Sequence, residues 1–104
     1  MNPEKSMEYV FAYAKNGDEK VYDFLSTKSK EELSDISVQD ITSSLQRFFQ
    51  DKVLSQGIKS ENSDEVSFDL VDLKAPLDLY RVSLVKEERE YKFIWSKDAY
   101  NQYK

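Results

Sequence analysis

Apolar side chains recur at helical spacing in the first half of the chain and alternate with polar ones in the second half. Met7, Val10, Phe11 and Ala14 form one stripe behind Asn2-Pro3, a capping residue followed by proline at the first helical position, and Asn16-Gly17 closes it. The spacing predicts a helix over about 3–15, with Tyr9 and Tyr13 as neighbours one turn apart on its flank. Gly17 suits a left-handed turn, and Asp18 can cap a second short helix carrying Val21, Tyr22, Phe24 and Leu25. Ser29-Lys30-Glu31-Glu32 has capping-box spacing with only Leu33 behind it, which predicts a short helical turn at most. Ser37, with Asp40 at the third following position, is a clearer start. Val38, Ile41, Leu45, Phe48, Phe49 and Val53 then keep a helical period up to Gly57, predicting the longest helix over about 38–55.

Beyond Gly57 the period becomes two. Val66, Phe68 and Leu70 alternate with Ser67, Asp69 and Val71; Tyr80, Val82 and Leu84 with Arg81, Ser83 and Val85; Tyr91, Phe93 and Trp95 with Lys92, Ile94 and Ser96. Three strands follow, connected at Lys74-Ala75-Pro76 and at the charged run Lys86 to Glu90, and Ile58-Lys59-Ser60 offers a short edge strand. A sheet with one apolar face has to cover it, and the amphipathic segments are available to do so. The expected fold is therefore α+β: N-terminal helices packed on one face of a curved, cone-like antiparallel β-meander of three to four strands, with residues 1–104 forming a single domain.

Composition narrows the chemistry. Seven Tyr, six Phe and one Trp provide ample material for a core, and hydrophobic residues make up 39% of the chain, so a disordered tail is excluded. No stretch approaches the roughly 18 apolar residues of a membrane span, and Met1-Asn2-Pro3-Glu4-Lys5 has no leader-like apolar run, which predicts a soluble chain. A leader removed upstream would place it outside the cytoplasm, so the compartment is left open. The net charge is −5 with no Lys/Arg cluster, which argues against nucleic acid as a partner. The absence of Cys removes disulfides, thiolate nucleophiles and cysteine metal sites. The absence of His removes the commonest general base and the commonest transition-metal ligand together. No catalytic residue, metal site or cofactor is assigned.

Four segments carry a resemblance: Ala14-Lys15-Asn16-Gly17-Asp18, Val21-Tyr22-Asp23-Phe24-Leu25-Ser26, Ile36-Ser37-Val38-Gln39-Asp40 and Tyr91-Lys92-Phe93-Ile94-Trp95. In this order the chain resembles the nuclear transport factor 2-like superfamily. Within it, the chain is most similar to small bacterial lipoprotein domains and to the non-catalytic N-terminal domain of resistance-type penicillin-binding transpeptidases. The resemblance covers nearly the whole chain and implies a cone-shaped fold and a binding or spacer role. Catalytic members place Asp, His or Tyr inside the cone, and this chain has no His to place.

Two sets of residues are functional candidates. Phe68, Tyr80, Tyr91, Phe93 and Trp95 share a sheet face in the simplest register and, with Phe49 from the helix, would line an aromatic concavity for an apolar or planar ligand; ordinary core explains the same pattern better. Val71, Leu73, Val85 and Ile94 make the opposite face too apolar to stand fully wetted, so a protein partner or a second copy in a homodimer would cover them, unless the tail Asp98 to Lys104 folds over them. Asp69 falls opposite Phe68 and Leu70 and is expected in water; with Asp40, Asp72 and Asp78 it reads as solvated surface rather than an acid and base pair. Glu61-Asn62-Ser63-Asp64-Glu65 lacks the spacing and the glycine of a calcium loop. The leading expectation is a non-enzymatic binding or spacer domain. The alternatives are an apolar-ligand carrier or isomerase-like enzyme with Tyr80 or Tyr91 as hydroxyl donor, and an inhibitor-like protein for a basic partner.

Overall fold

The computed structural model describes residues 2–55, 60–62 and 64–104. Helix α1 spans Pro3–Lys15, and the Asn2 side chain accepts from Lys5 N at 2.8 Å, which satisfies one of the free N–H groups of the first turn. The helix ends where Gly17 takes φ +64°, a left-handed conformation that lets the chain reverse. Asp18 then caps a 3₁₀ helix, Glu19–Phe24. Tyr9, Tyr13 and Phe24 pack ring against ring at 5.7–6.0 Å, so the tyrosine pair widens the buried side of α1.

Two helix boundaries differ from the expected ones. Helix α2, Thr27–Glu32, is six residues long and starts earlier than the Ser29 box suggested. Ser26 is its cap: it accepts from Ser29 N at 3.1 Å and donates its hydroxyl to Ser29 Oγ at 2.8 Å, so the second serine is a buried partner. Helix α3 covers Val38–Phe49, with Ser37 accepting from Asp40 N, and is one residue shorter than α1. Lys52–Leu54, expected to be helical, forms strand β1. Val53 lies four positions after Phe49, so it fits the helical period, while a strand of three residues is too short to announce its own.

All strand pairs are antiparallel. Strands β2 (Ser60–Glu61), β3 (Glu65–Asp72), β4 (Ala75–Glu87) and β5 (Glu90–Phe93) complete a curved sheet in the order β1-β3-β4-β5, with β2 also on β3. The expected edge strand is represented by Ser60; Ile58 and Lys59 lie outside the described residues. The turns are Leu73-Lys74 and Glu88-Arg89, tighter than the polar runs suggested, because β4 extends through Ala75 and Pro76 at one end and Lys86 and Glu87 at the other. Proline is accommodated by a bulge: Val71 faces Leu79 while Asp72 faces Ala75, leaving Pro76, Leu77 and Asp78 unpaired with β3.

The expected layering is present. Phe68, Leu70, Leu84 and Phe93 on the inner face of the sheet meet Met7 and Val10 of α1 and Leu45, Phe48 and Phe49 of α3 in one core. Burying each such side chain stabilises the fold by about 1.5–3 kcal/mol. Trp95, expected on the third strand, follows the end of β5 instead. Its backbone N donates to Ser29 Oγ at 3.0 Å and its indole Nε1 to Ser44 Oγ at 3.1 Å, so one side chain joins α2, α3 and the end of the sheet. Ser96 then caps helix α4, Lys97–Tyr103, which packs on α3.

Candidate functional site

The aromatic set divides. Phe49, Phe68, Phe93 and Trp95 are buried, with Phe49 ringed by Phe11, Phe48 and Phe93 at 4.9–5.7 Å, so the inner face is filled by side chains rather than hollow. Tyr91 lies half-buried opposite Lys86 near the β4–β5 turn, away from the others. Tyr80 and Trp95 reach a surface feature that the sequence did not suggest: an open groove of about 380 Å³ between the edge of β4 and α4.

The groove has three parts. Phe48, Tyr80, Trp95 and Tyr103 supply an aromatic floor; Arg81, Val82 and Ser83, with Ile94 and the carboxylate of Glu65 at the β5 end, supply the strand wall; Ser96, Ala99 and Gln102 supply the helical wall. Tyr80 and Val82 point to the inner face and Arg81 and Ser83 to the outer one, so the groove runs along the strand edge itself. The rings hold one another at an angle: Phe48 lies 5.2 Å from Trp95, 5.1 Å from Tyr103 and 6.3 Å from Tyr80.

Behind this floor lies Lys52, buried on the inner side of β1 opposite Asp72. Its ammonium donates to the Phe48 carbonyl at 2.7 Å and sits 4.3, 4.5 and 5.6 Å from the ring centres of Phe48, Tyr80 and Tyr103. Burial lowers its pKa below the ordinary lysine value, against the pull of the Asp72 and Asp51 charges. Burial likewise raises the Tyr103 pKa, helped by Tyr80 and Asp72, so its phenol keeps its proton at neutral pH. The cation thus fixes the aromatic floor from below instead of facing a ligand.

The second face of the sheet is not one apolar surface. The cross-strand pairs Asp69–Arg81 and Ser67–Ser83 lie between the row Val53–Val71–Leu79 and the row containing Val85. The serine hydroxyls are 3.1 Å apart, and Arg81 Nε donates to Asp69 Oδ1 at 3.0 Å. Asp69 therefore does not stand in water as expected: its side chain is 4% exposed, covered by the arginine and the neighbouring strands. Val71 and Leu73 belong to one end, where Leu77 and Leu79 are 97% and 59% exposed. Val85 and Ile94 border a hollow of about 360 Å³ beside α2, which adjoins the groove and shares Glu65, Ile94 and Ser96 with it. The tail does not cover the leucine end, because α4 turns inward to place Tyr103 on Phe48 and Trp95.

The remaining carboxylates serve local structure or solvent. Asp72 accepts from Lys74 N at 2.8 Å in the hairpin turn, Asp40 opens α3 and Asp78 is exposed in the bulge. Asn62 accepts from Asp64 N and Glu65 N, making the acidic segment a side-chain-closed turn; Ser63 lies outside the described residues. Among the described residues, no three His, Cys, Asp or Glu side chains gather as a metal site, and no helix is long and apolar enough to cross a membrane.

Sequence reasoning missed Phe48, Lys52, Arg81 and Tyr103 as a group. Ser96 followed by Asp98 gave a signal, a cap and an acidic first turn for a last helix that brings Tyr103 back over Phe48. No protein-family model matches the chain, and no curated protein matches it either.

Proposed function

We propose that this chain is a non-enzymatic binding domain and that the groove between β4 and α4 is its binding surface. The observation that carries the reading is an open groove bordered by both faces of a strand edge, one side of a helix and an aromatic floor. Its volume of about 380 Å³ falls within the range of ligand-binding clefts, and its mixture of rings with a few polar groups is typical of them. The resemblance to non-catalytic members of the nuclear transport factor 2-like superfamily supports the same role. The chemistry of the lining points away from catalysis: with neither His nor Cys in the chain, the groove offers an arginine, one carboxylate and phenols, and no pair of groups tuned to act as acid and base.

Selection from a displayed peptide library against the folded chain tests this. The expected binders lose at least tenfold in affinity for Gln102→Trp, which fills the groove from an exposed position on α4 that does not pack on the core. Binders indifferent to that substitution, or a selection that enriches none, would overturn the reading.

Self-association is a second reading, favoured by the exposure of Leu73, Leu77 and Leu79 at one end of the sheet. It predicts a concentration-dependent mass in light scattering that Leu77→Ser abolishes; a constant monomer mass dismisses it.

A further inference from the structure

Strand β4 is thirteen residues long, and its two neighbours cover it unequally. Strand β3 pairs with it continuously from Leu79 to Val85, whereas β5 pairs only with Leu84 to Glu87, and the bond from Ile94 N to Ser83 O at 3.0 Å is the last on that side. In an antiparallel ladder the N–H and C=O of one residue point to the same side, and the side alternates along the strand. Ser83 O faces β5, so Arg81 and Leu79 turn their backbone groups to that side too, where no strand runs among the described residues. Beyond Leu79 the bulge and Pro76, which has no N–H, interrupt the edge. The bare stretch is Leu79–Val82; Tyr80, Arg81 and Val82 border the groove, and Leu79 continues the same edge just beyond it.

We infer that this edge is a docking strand: a short extended peptide adds to it as a further antiparallel strand, lying between β4 and α4 and bonding to the backbone of Arg81 and Leu79. The inference rests on the binding reading above and names its ligand class. Bare peptide groups on one wall suit a peptide backbone, since an extended chain alongside exchanges the water on the N–H and C=O groups of Arg81 and Leu79 together for a matching ladder. The helical wall selects a narrow occupant: Ala99, Gln102 and Tyr103 face the edge across the groove, where the sheet of a second folded copy would meet α4 first.

The side chains of the added strand are specified by alternation. Those opposite Tyr80 and Val82 point to the aromatic floor and are apolar. The one between them lies opposite Arg81, whose side chain is 57% exposed and engages Asp69 through Nε, leaving its terminal donors for an acidic residue. The ligand class is thus an extended segment reading apolar, acidic, apolar.

The probe is the end-blocked peptide Leu-Glu-Leu-Thr, which runs antiparallel from Val82 to Leu79 and stops short of Ser83, where Ile94 already bonds; it is followed by Trp95 emission and by amide hydrogen exchange of the whole chain. Binding is expected to slow exchange at Leu79 and Arg81. Methylating the glutamate nitrogen, which points at β4, is expected to weaken binding at least tenfold, while methylating the nitrogen of the leucine after it, which points away, leaves binding within twofold. Leu-Lys-Leu-Thr, which brings a like charge to Arg81, is expected to bind about fivefold more weakly or worse. Equal sensitivity to both methylations, or unchanged exchange at Leu79 and Arg81 on binding, overturns strand addition but leaves a groove-binding domain. Failure of Leu-Glu-Leu-Thr to bind overturns this inference, and the library selection then decides independently whether the groove binds at all.

Discussion

Lys52 and Phe48 meet twice: the ammonium donates to the Phe48 carbonyl at 2.7 Å and lies 4.3 Å from the centre of the Phe48 ring. The carbonyl is one of those left without an intrahelical partner at the end of α3, so Lys52 caps the helix with a charge of the sign its dipole favours. The ring contact then holds Phe48 at the angle that makes it the centre of the groove floor.

Replacing Lys52 by Met keeps the aliphatic stem and removes the donor and the charge. The Phe48 carbonyl loses its donor, which costs about 1–3 kcal/mol, while removing a charge that the fold disfavours offsets part of that, and we expect a net loss of about 1 kcal/mol. Urea unfolding followed by Trp95 emission measures it. An unchanged midpoint would show that the ammonium contributes nothing net.

Stability in alkali depends on two opposed titrations. Lys52 has a folded pKa below 10.5, so between that lowered value and 10.5 the unfolded chain holds more protons and stability rises with pH. Tyr103 has a folded pKa above 10.0, so above that value the unfolded phenol ionises first and stability falls. Melting temperatures from about pH 8 to 11 should therefore fall less steeply for Tyr103→Phe than for the parent, and more steeply for Lys52→Met. Identical alkaline limbs in all three proteins would refute the assignment.

Ser44→Ala removes the acceptor of the Trp95 indole in a fully buried position. An unpartnered N–H in the core costs about 1–3 kcal/mol, and the wild-type emission maximum should shift because the indole loses its bond. Calorimetry and fluorescence together check this, and a stability change within error would mean that another acceptor reaches Nε1.

Gly17→Ala forces a side chain into the left-handed region at φ +64° and brings its Cβ to 3.0 Å from the Gln46 amide. The amide is the flexible end of its side chain, so backbone strain dominates, with an expected loss of about 1–2 kcal/mol. Gly17→Asn should lose less, since asparagine tolerates that conformation better. Equal losses for the two variants in urea unfolding would place the cost in the Gln46 contact instead.

Elements whose pattern lasted several periods were legible. Asn2-Pro3 and Gly17 bounded α1, and the alternations around Phe68 and Val82 placed β3 and β4. Short elements were not, because β1 offers three residues in which Val53 also satisfies a helix. Burial on the second face was misjudged at Asp69, since alternation reports which side a residue faces and says nothing of an arginine lying over it. The groove was hidden for a related reason: it depends on β5 being shorter than β4, and strand overlap is a property of two segments that neither displays alone.

Trp95 binds Ser29 and Ser44 across separations of 66 and 51 positions. During synthesis the helices leave the ribosome long before the residue that ties them together, and the sheet pairings that complete the core are also non-local. The N-terminal half therefore emerges with its apolar stripes uncovered and waits for the C-terminal quarter. A ribosome-stalled nascent chain ending at Glu90 should be digested by protease, whereas one carrying the whole sequence plus a linker long enough to clear the exit tunnel should resist it.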